Sequence, residues 1–260
     1  MEMYICVKSI PASDTITFDE STGNLRREGI GAELNPADMV AAEAGLRFSE
    51  KYGGTLAAVS MGPPSAETGL LTVLSMGVSK AHLLCDSLFA GADVPATAYT
   101  LAAFFRSRPY DIIFCGKYAA DGDTGQTGAM LAEMLDIPHA CAVFDLVGIE
   151  EGGLVVRQRL DTHILTLFMP LPCLVLVEND AMYPRDIKLA DMLRARSLKI
   201  ERENVSTISG IDPLRCGIKG SHTRVKEIFV PDHSRKKRML SETEFEILGS
   251  VFAGAGEAYA

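Results

Sequence analysis

The sequence predicts an α/β fold: a doubly wound, mostly parallel sheet of Rossmann-like type, followed by a C-terminal arm. Three observations carry this. Four short β-type runs alternate with helical stretches over the first half of the chain, a pattern that builds parallel sheets with helices on both faces. The fourth run opens into a glycine-rich loop that leads directly into a helix. Beyond residue 178 the chain turns charged and irregular, which divides it into an α/β domain at 1–178 and an arm at 179–260.

Residues 4–7 read as the first strand. Asn35 is placed to cap a helix over 36–51, with Pro36 at the first position, where the missing N–H would have no partner anyway. A strand over 55–61 leads to a helix over 65–76 that Gly77 closes, and a strand over 81–85 leads to a helix over 95–108. Residues 111–115 are an apolar run of buried-strand type, and the apolar spacing of 129–135 is helical. The pattern then changes. Runs at 142–149 and 154–160 are joined by Glu150-Glu151-Gly152-Gly153, a hairpin signal, with a third antiparallel strand at 162–168 and a further β run at 174–177. Ser241-Glu242-Thr243-Glu244 is a capping box, followed by Phe245, Leu248, Val251 and Phe252 on one face of a short helix.

A chain of 260 residues can bury roughly three quarters of its unfolded surface and needs no disulfide staple. The balance of 25 basic and 34 acidic residues, −9 overall, argues against a nucleic-acid binder. Six cysteines without a C-x-x-C pair read as small buried hydrophobes of a reducing compartment. No run approaches the ~20 apolar residues of a membrane span, and the N-terminus lacks a signal-peptide pattern. A cytoplasmic protein is expected.

Residues 116–128, Gly-Lys-Tyr-Ala-Ala-Asp-Gly-Asp-Thr-Gly-Gln-Thr-Gly, join that fourth strand to its helix. A helix start has unpartnered N–H groups and partial positive charge, which suits an anion. Gly122, Gly125 and Gly128 would let a phosphate approach the backbone, and Thr124 and Thr127 would add hydroxyl donors. The loop is neither a Walker A sequence nor G-x-G-x-x-G. Nucleotide or phosphate binding and an ordinary capped polar loop both fit these residues. Asp121 and Asp123 would repel phosphate unless they cap the helix or hold a ribose.

The five histidines show no metal-ligand spacing, and no bound metal is expected. Asp121 and Asp123 begin like a calcium loop, but the required acidic positions are missing. There is no G-x-S-x-G elbow, and no catalytic residue is identified. Arg235-Lys236-Lys237-Arg238 reads as a solvated linker.

Several segments together resemble the beta (small) subunit of electron-transfer flavoproteins. These are Val7-Lys8, Asn35-Pro36, residues 59–63, Ser75-Met76-Gly77-Val78, Asp86 with residues 89–93, the glycine loop, Leu171-Pro172 and residues 184–189. They stand in order, at the family's spacing, across roughly residues 1–230. The resemblance implies an adenine-nucleotide-binding domain that pairs with an alpha subunit holding the electron-carrying FAD. It implies nucleotide contacts at Cys6, Asn35, Pro36, Ala37, Asp38, Met61, Gly116, Ala120, Asp121, Gly122, Asp123, Thr124, Gly125, Gln126 and Thr127, with the aspartates capping or on the ribose side. It gives the arm a role in docking the alpha subunit, and makes Leu189 the anchor of a recognition loop for an acyl-CoA-type or other dehydrogenase. A core-facing helical leucine is the competing reading of Leu189, given Met192 and Leu193 nearby. Ala37, Met39, Ala129 and Ala190 depart from residues frequent in the family.

Two versions of this subunit exist within the resemblance, and the chain is an electron-transfer subunit in either. One holds AMP as a structural ligand. The other holds a second FAD, takes a hydride from NADH and splits the electrons between two acceptors. Residues 121–124 and 217–225 resemble the second, bifurcating version; Thr127 is more typical of the first. FAD is the expectation and AMP the alternative. Outside the resemblance stands a stand-alone nucleotide-binding regulatory protein, which would have no use for the ~80-residue arm, since compact domains seldom carry long unstructured extensions.

Overall fold

The computed structural model describes residues 1–12, 17–18, 25–26, 31–224, 241 and 244–245. The chain forms two compact units, Met1–Lys226 and Glu227–Ala260. In the second, Ser241 and Glu244 exchange the bonds of a capping box: Ser241 N–H donates to the Glu244 carboxylate at 3.0 Å and Glu244 N–H to Ser241 Oγ at 3.4 Å. The basic run 235–238 and the apolar positions Leu248, Val251 and Phe252 lie outside the described residues.

In chain order the first unit contains β1 (Glu2–Cys6), β2 (Ser9–Pro11), β3 (Thr17–Phe18), β4 (Leu25–Arg26), β5 (Ala32–Leu34), α1 (Pro36–Tyr52), β6 (Thr55–Met61), α2 (Glu67–Met76), β7 (Lys80–Leu84), α3 (Val94–Arg106) and β8 (Ile112–Gly116). There follow α4 (Thr127–Leu135), β9 (His139–Glu150), β10 (Gly153–Arg159), β11 (Ile164–Pro170), β12 (Cys173–Val177), α5 (Leu189–Ser197), β13 (Ile200–Glu203) and α6 (Gly217–Gly220). Nine strands form one sheet in the order β11-β10-β9-β12-β8-β1-β6-β7-β13. The run from β9 to β13 across this order is parallel, and β10 is antiparallel to both its neighbours. This is the doubly wound α/β sheet that the alternating pattern predicts.

The inner parallel strands β1, β6, β8 and β12 are apolar on both faces because helices cover both. One buried cluster gathers Met3, Ile5, Leu56 and Phe114 with α1 and α2; the other gathers Tyr4, Val59, Ile113 and Leu174 with Phe104 and Phe105 of α3 and Leu131 of α4. The run at 174–177 is a central strand: β12 inserts between β8 and β9, with all five residues buried. β9 serves two neighbours of opposite direction, and its pairings shift register beside Ala142, which has φ 51°.

The sequence sets the chain after 178 apart, whereas the compact unit continues to Lys226. β13 extends the sheet beyond β7, and α5 lies on α2, burying Ala195. Residues 217–223 also return to the first unit, at the start of α3. Asp93 caps α3 through Ala96 N–H and accepts from the N–H groups of His222 and Thr223 at 2.7 and 2.9 Å. Gly217, with φ 52°, lies so close to the carbonyls of Leu88 and Ala90 that no side chain fits. The polar composition of this stretch reflects an edge position, where only one face is buried.

Candidate nucleotide site

The order of strands creates a switch point. From β1 the chain winds outward through β6 and β7, then returns to β8 on the other side of β1. Cys6 ends β1, Gly116 ends β8 and Met61 ends β6, so the loops after these strands gather at one edge. Open α/β sheets bind ligands at such a place. The N-terminus of α1, with Asn35, Pro36, Ala37 and Asp38, packs into the same region.

Asn35 stands at the N-cap position of α1, as the sequence predicts, but its side chain makes no cap bond. Its buried side chain reaches instead to the glycine loop: Nδ2 donates to the Tyr118 carbonyl at 2.9 Å and Oδ1 accepts from Ala120 N–H at 3.1 Å. A Cβ on Gly116 would fall within 3 Å of the α1 backbone at Ala37 and Asp38, so glycine there lets β8 meet the helix start. Lys8, just beyond β1, clamps the loop from the other side, its Nζ 2.5 and 2.7 Å from the Asp121 carboxylate oxygens.

Past these ties the loop is exposed from Asp121 to Gln126. It turns back on itself, with Asp123 N–H donating to the Ala119 carbonyl at 2.8 Å and Asp123 at φ 45°. Nothing lies within 4 Å of the Cβ that Gly122 lacks, and Gly125, at φ 61°, has only the Lys117 carbonyl at 3.6 Å. Thr127 is the first residue of α4, and Gln126 precedes it without a side-chain cap. Neither Asp121 nor Asp123 caps that helix; the first is bound to Lys8.

Asp38 is buried beneath the loop. Burial pushes its carboxyl up to about 7, against the hydrogen bonds from Lys8 N–H (2.7 Å), Asn35 and Gly116 that favour the charged form. The Cys115 thiol, opposite Cys6 in register, is pushed well up by its hydrogen bond with Cys6 and by burial. Such a thiol stays protonated, so it is no nucleophile.

A second region shares α1. Glu43, its side chain 2% exposed, accepts from Arg185 Nε at 2.8 Å and from Arg47 Nε at 2.6 Å. Arg185 also reaches Glu50 at 2.7 Å. These bonds fasten the segment that leads to Leu189, the first residue of α5. Leu189 is 71% exposed, and Met192 and Leu193 are exposed beside it, so the helix does not turn its leucines to the core. Sequence reading missed Lys8 as a loop tether and Glu43 altogether, since their partners lie 113 and 142 residues away.

With this geometry in view, the chain's likenesses can be stated. Residues 22–208 match the electron transfer flavoprotein domain. The chain is 35% identical over 235 residues to the electron transfer flavoprotein subunit beta of Thermoanaerobacterium thermosaccharolyticum, covering 90% of each. It is 35% identical over 250 residues to the protein FixA of Azotobacter vinelandii, covering 94% of this chain and 89% of that one. It is 32% identical over 262 residues to the caffeyl-CoA reductase-Etf complex subunit CarD of Acetobacterium woodii, covering 100% and 99%. The chain belongs to the electron transfer flavoprotein family, on its beta-subunit and FixA side, and its role is electron transfer. No described helix is long and apolar enough to cross a membrane.

Proposed function

We propose that the chain is the beta subunit of a heterodimeric electron-transfer flavoprotein, that it works in the cytoplasm, and that its switch-point site holds FAD. The observation that carries this reading is the glycine loop, pinned at its root by Asn35 and Lys8 and open at Gly122 and Gly125. A pyrophosphate needs backbone N–H groups that it can approach closely, and the space around these two glycines allows that. The residues present therefore fit the group. Residues 116–127 would hold the phosphates, and Cys6, Met61 and the 35–38 turn would line the rest.

When bound, the flavin supplies the hydride-accepting and one-electron chemistry. The chain's part is to bind and orient. Asn35 fixes the loop against α1, Lys8 brings a positive charge that Asp121 holds in place, and the thiol of Cys115, pushed well up by its hydrogen bond with Cys6 and by burial, adds no charge to the end of the sheet. In this reading the heterodimer takes its hydride from NADH and passes electrons to an acyl-CoA-type or other dehydrogenase docked at Leu189.

The resemblance to a subunit named for a reductase–Etf complex supports the bifurcating version. So does the open turn at Gly122, which leaves room for two phosphates. Structural AMP is the second reading, favoured by Thr127, because a hydroxyl in the first turn of a helix suits a single terminal phosphate. The alpha subunit is expected on β11, the outermost described strand at its edge, where Ile164 is 62% exposed and Leu165 and Phe168 lie open beside it. The C-terminal arm is expected to dock on the same subunit.

Heat release of the nucleotide from the purified protein, identified by mass, tests this reading. FAD supports it, AMP leaves the simple electron carrier, and ATP favours the stand-alone regulatory protein.

A further inference from the structure

At the edge of the sheet away from β11, β13 runs parallel to β7 with Glu201 opposite His82 and Glu203 opposite Leu84. Side chains alternate along a strand, so Glu201 and Glu203 share the face that His82 occupies. His82 Nδ1 lies 3.3 Å from Glu201 Oε2 and 3.8 Å from Glu203 Oε1. All three donor atoms lie within 4.8 Å of one another.

The imidazole is the informative member. Its side chain is 8% exposed, and Nδ1 is buried without a hydrogen-bond partner. With the proton on Nδ1, the contact to Glu201 is not aligned for a hydrogen bond. With the proton on Nε2, a lone pair faces two carboxylates. Neither tautomer is satisfied by the protein alone, and buried polar groups are rarely left so.

We propose that His82, Glu201 and Glu203 form a divalent-metal site of zinc type that pins the edge strand β13 to β7. Tetrahedral zinc with bonds of about 2.0–2.2 Å sets its donors roughly 3.3–3.6 Å apart, close to the 3.3 and 3.8 Å from His82 Nδ1 to the two carboxylates. One imidazole and two carboxylates make an acceptable three-ligand set, and the half-exposed Glu201 leaves the fourth position to water. Arg108 completes the surroundings. It donates to Glu203 and lies 3.9 Å over the Phe104 ring, which meets His82 edge-on. That guanidinium orients the carboxylate as outer partners of metal ligands do, and it offsets one of the two negative charges. The reduced charge disfavours calcium and magnesium, which depend on several carboxylates, relative to an ion that also binds imidazole nitrogen.

Calorimetric titration of the full chain with zinc chloride, after chelator treatment, tests the site beside 15N-histidine NMR. One zinc per chain should bind, moving the Nδ1 resonance of His82. Glu201→Gln, an exposed position whose change spares the fold, should weaken binding at least tenfold, as should His82→Gln. Magnesium at tenfold excess should not compete. Zinc affinity unchanged in Glu201→Gln, a His82 signal unmoved by one equivalent, or displacement by magnesium would each overturn the assignment.

Discussion

Asp38 and Glu43 stand little more than one turn apart on α1, both buried, and burial acts on them alike, yet their carboxyls shift in opposite directions. Asp38 has backbone N–H groups, an amide and the weaker pull of the Lys8 charge around it, and burial wins, raising it. At Glu43 burial also works to raise it, but the hydrogen bonds from Arg185 and Arg47 more than reverse this, and it is lowered. The difference follows what each end of the helix carries. The N-terminal end supports a loop that offers backbone and open space, and a permanent negative charge there would oppose the nucleotide proposed for it. The middle of the helix holds a segment that offers exposed leucines, suited to a protein, and an ion pair fixes that segment without meeting any ligand.

The largest expected effect removes the loop alone. Gly125→Val places a branched residue at φ 61°, which strains the turn and fills the ligand's approach. The purified variant should carry almost no nucleotide while its circular dichroism stays near wild type. Full nucleotide content would move the site elsewhere and dissolve the contrast.

Asp38 gives a pH-dependent test. Its folded pKa, about 7, lies above the unfolded value near 4. The native state therefore keeps a proton that the unfolded chain releases across this window. Stability is full below about pH 4 and is lost as pH rises through 7. Asp38→Asn should remove this slope, on the order of a few kcal/mol, so that urea midpoints at pH 5.5 and 8 converge. A slope that survives in the variant would assign the titration to another group.

Glu43→Gln should take from Arg185 its buried charged partner, leaving the exposed Glu50, and cost about 2 kcal/mol, with electron transfer to the dehydrogenase slowed and nucleotide content normal. Thermal melts and a nucleotide assay on one preparation check both halves. If nucleotide falls as well, α1 does not separate the two functions. Leu189→Ala should act on docking alone. It should weaken the dehydrogenase complex by about 2 kcal/mol in a binding titration, with the melting temperature unmoved. A lowered melting temperature with unchanged binding would return this leucine to an internal packing role.

Much of the fold was legible because it is local. The strand at 55–61 and the helix from Pro36 announce themselves through apolar periodicity and capping chemistry within a dozen residues. β12 was legible as a strand but not as a central one, since nothing in Leu174-Val175-Leu176-Val177 says which neighbours it takes. α5 and β13 were hidden by their charge. An edge element buries one face, and Ile200-Glu201-Arg202-Glu203 looks like solvated chain until β7 lies beside it. In the site, the glycines and the helix start stood in plain view. The ties that shape it did not: Asn35 looks like a cap from its neighbours and proves to be a tether only once Tyr118 and Ala120 are brought to it.

Among the described residues β11 has a neighbour on one side only, and its exposed residues Ile164 and Phe168 are apolar. Such a strand is a template for any other extended chain it meets. A cell that made this polypeptide in excess of whatever covers that edge would accumulate a sticky surplus. On the docking proposed above, matched synthesis of the two chains follows from one strand, and production of this chain by itself should give low soluble yields that co-production restores.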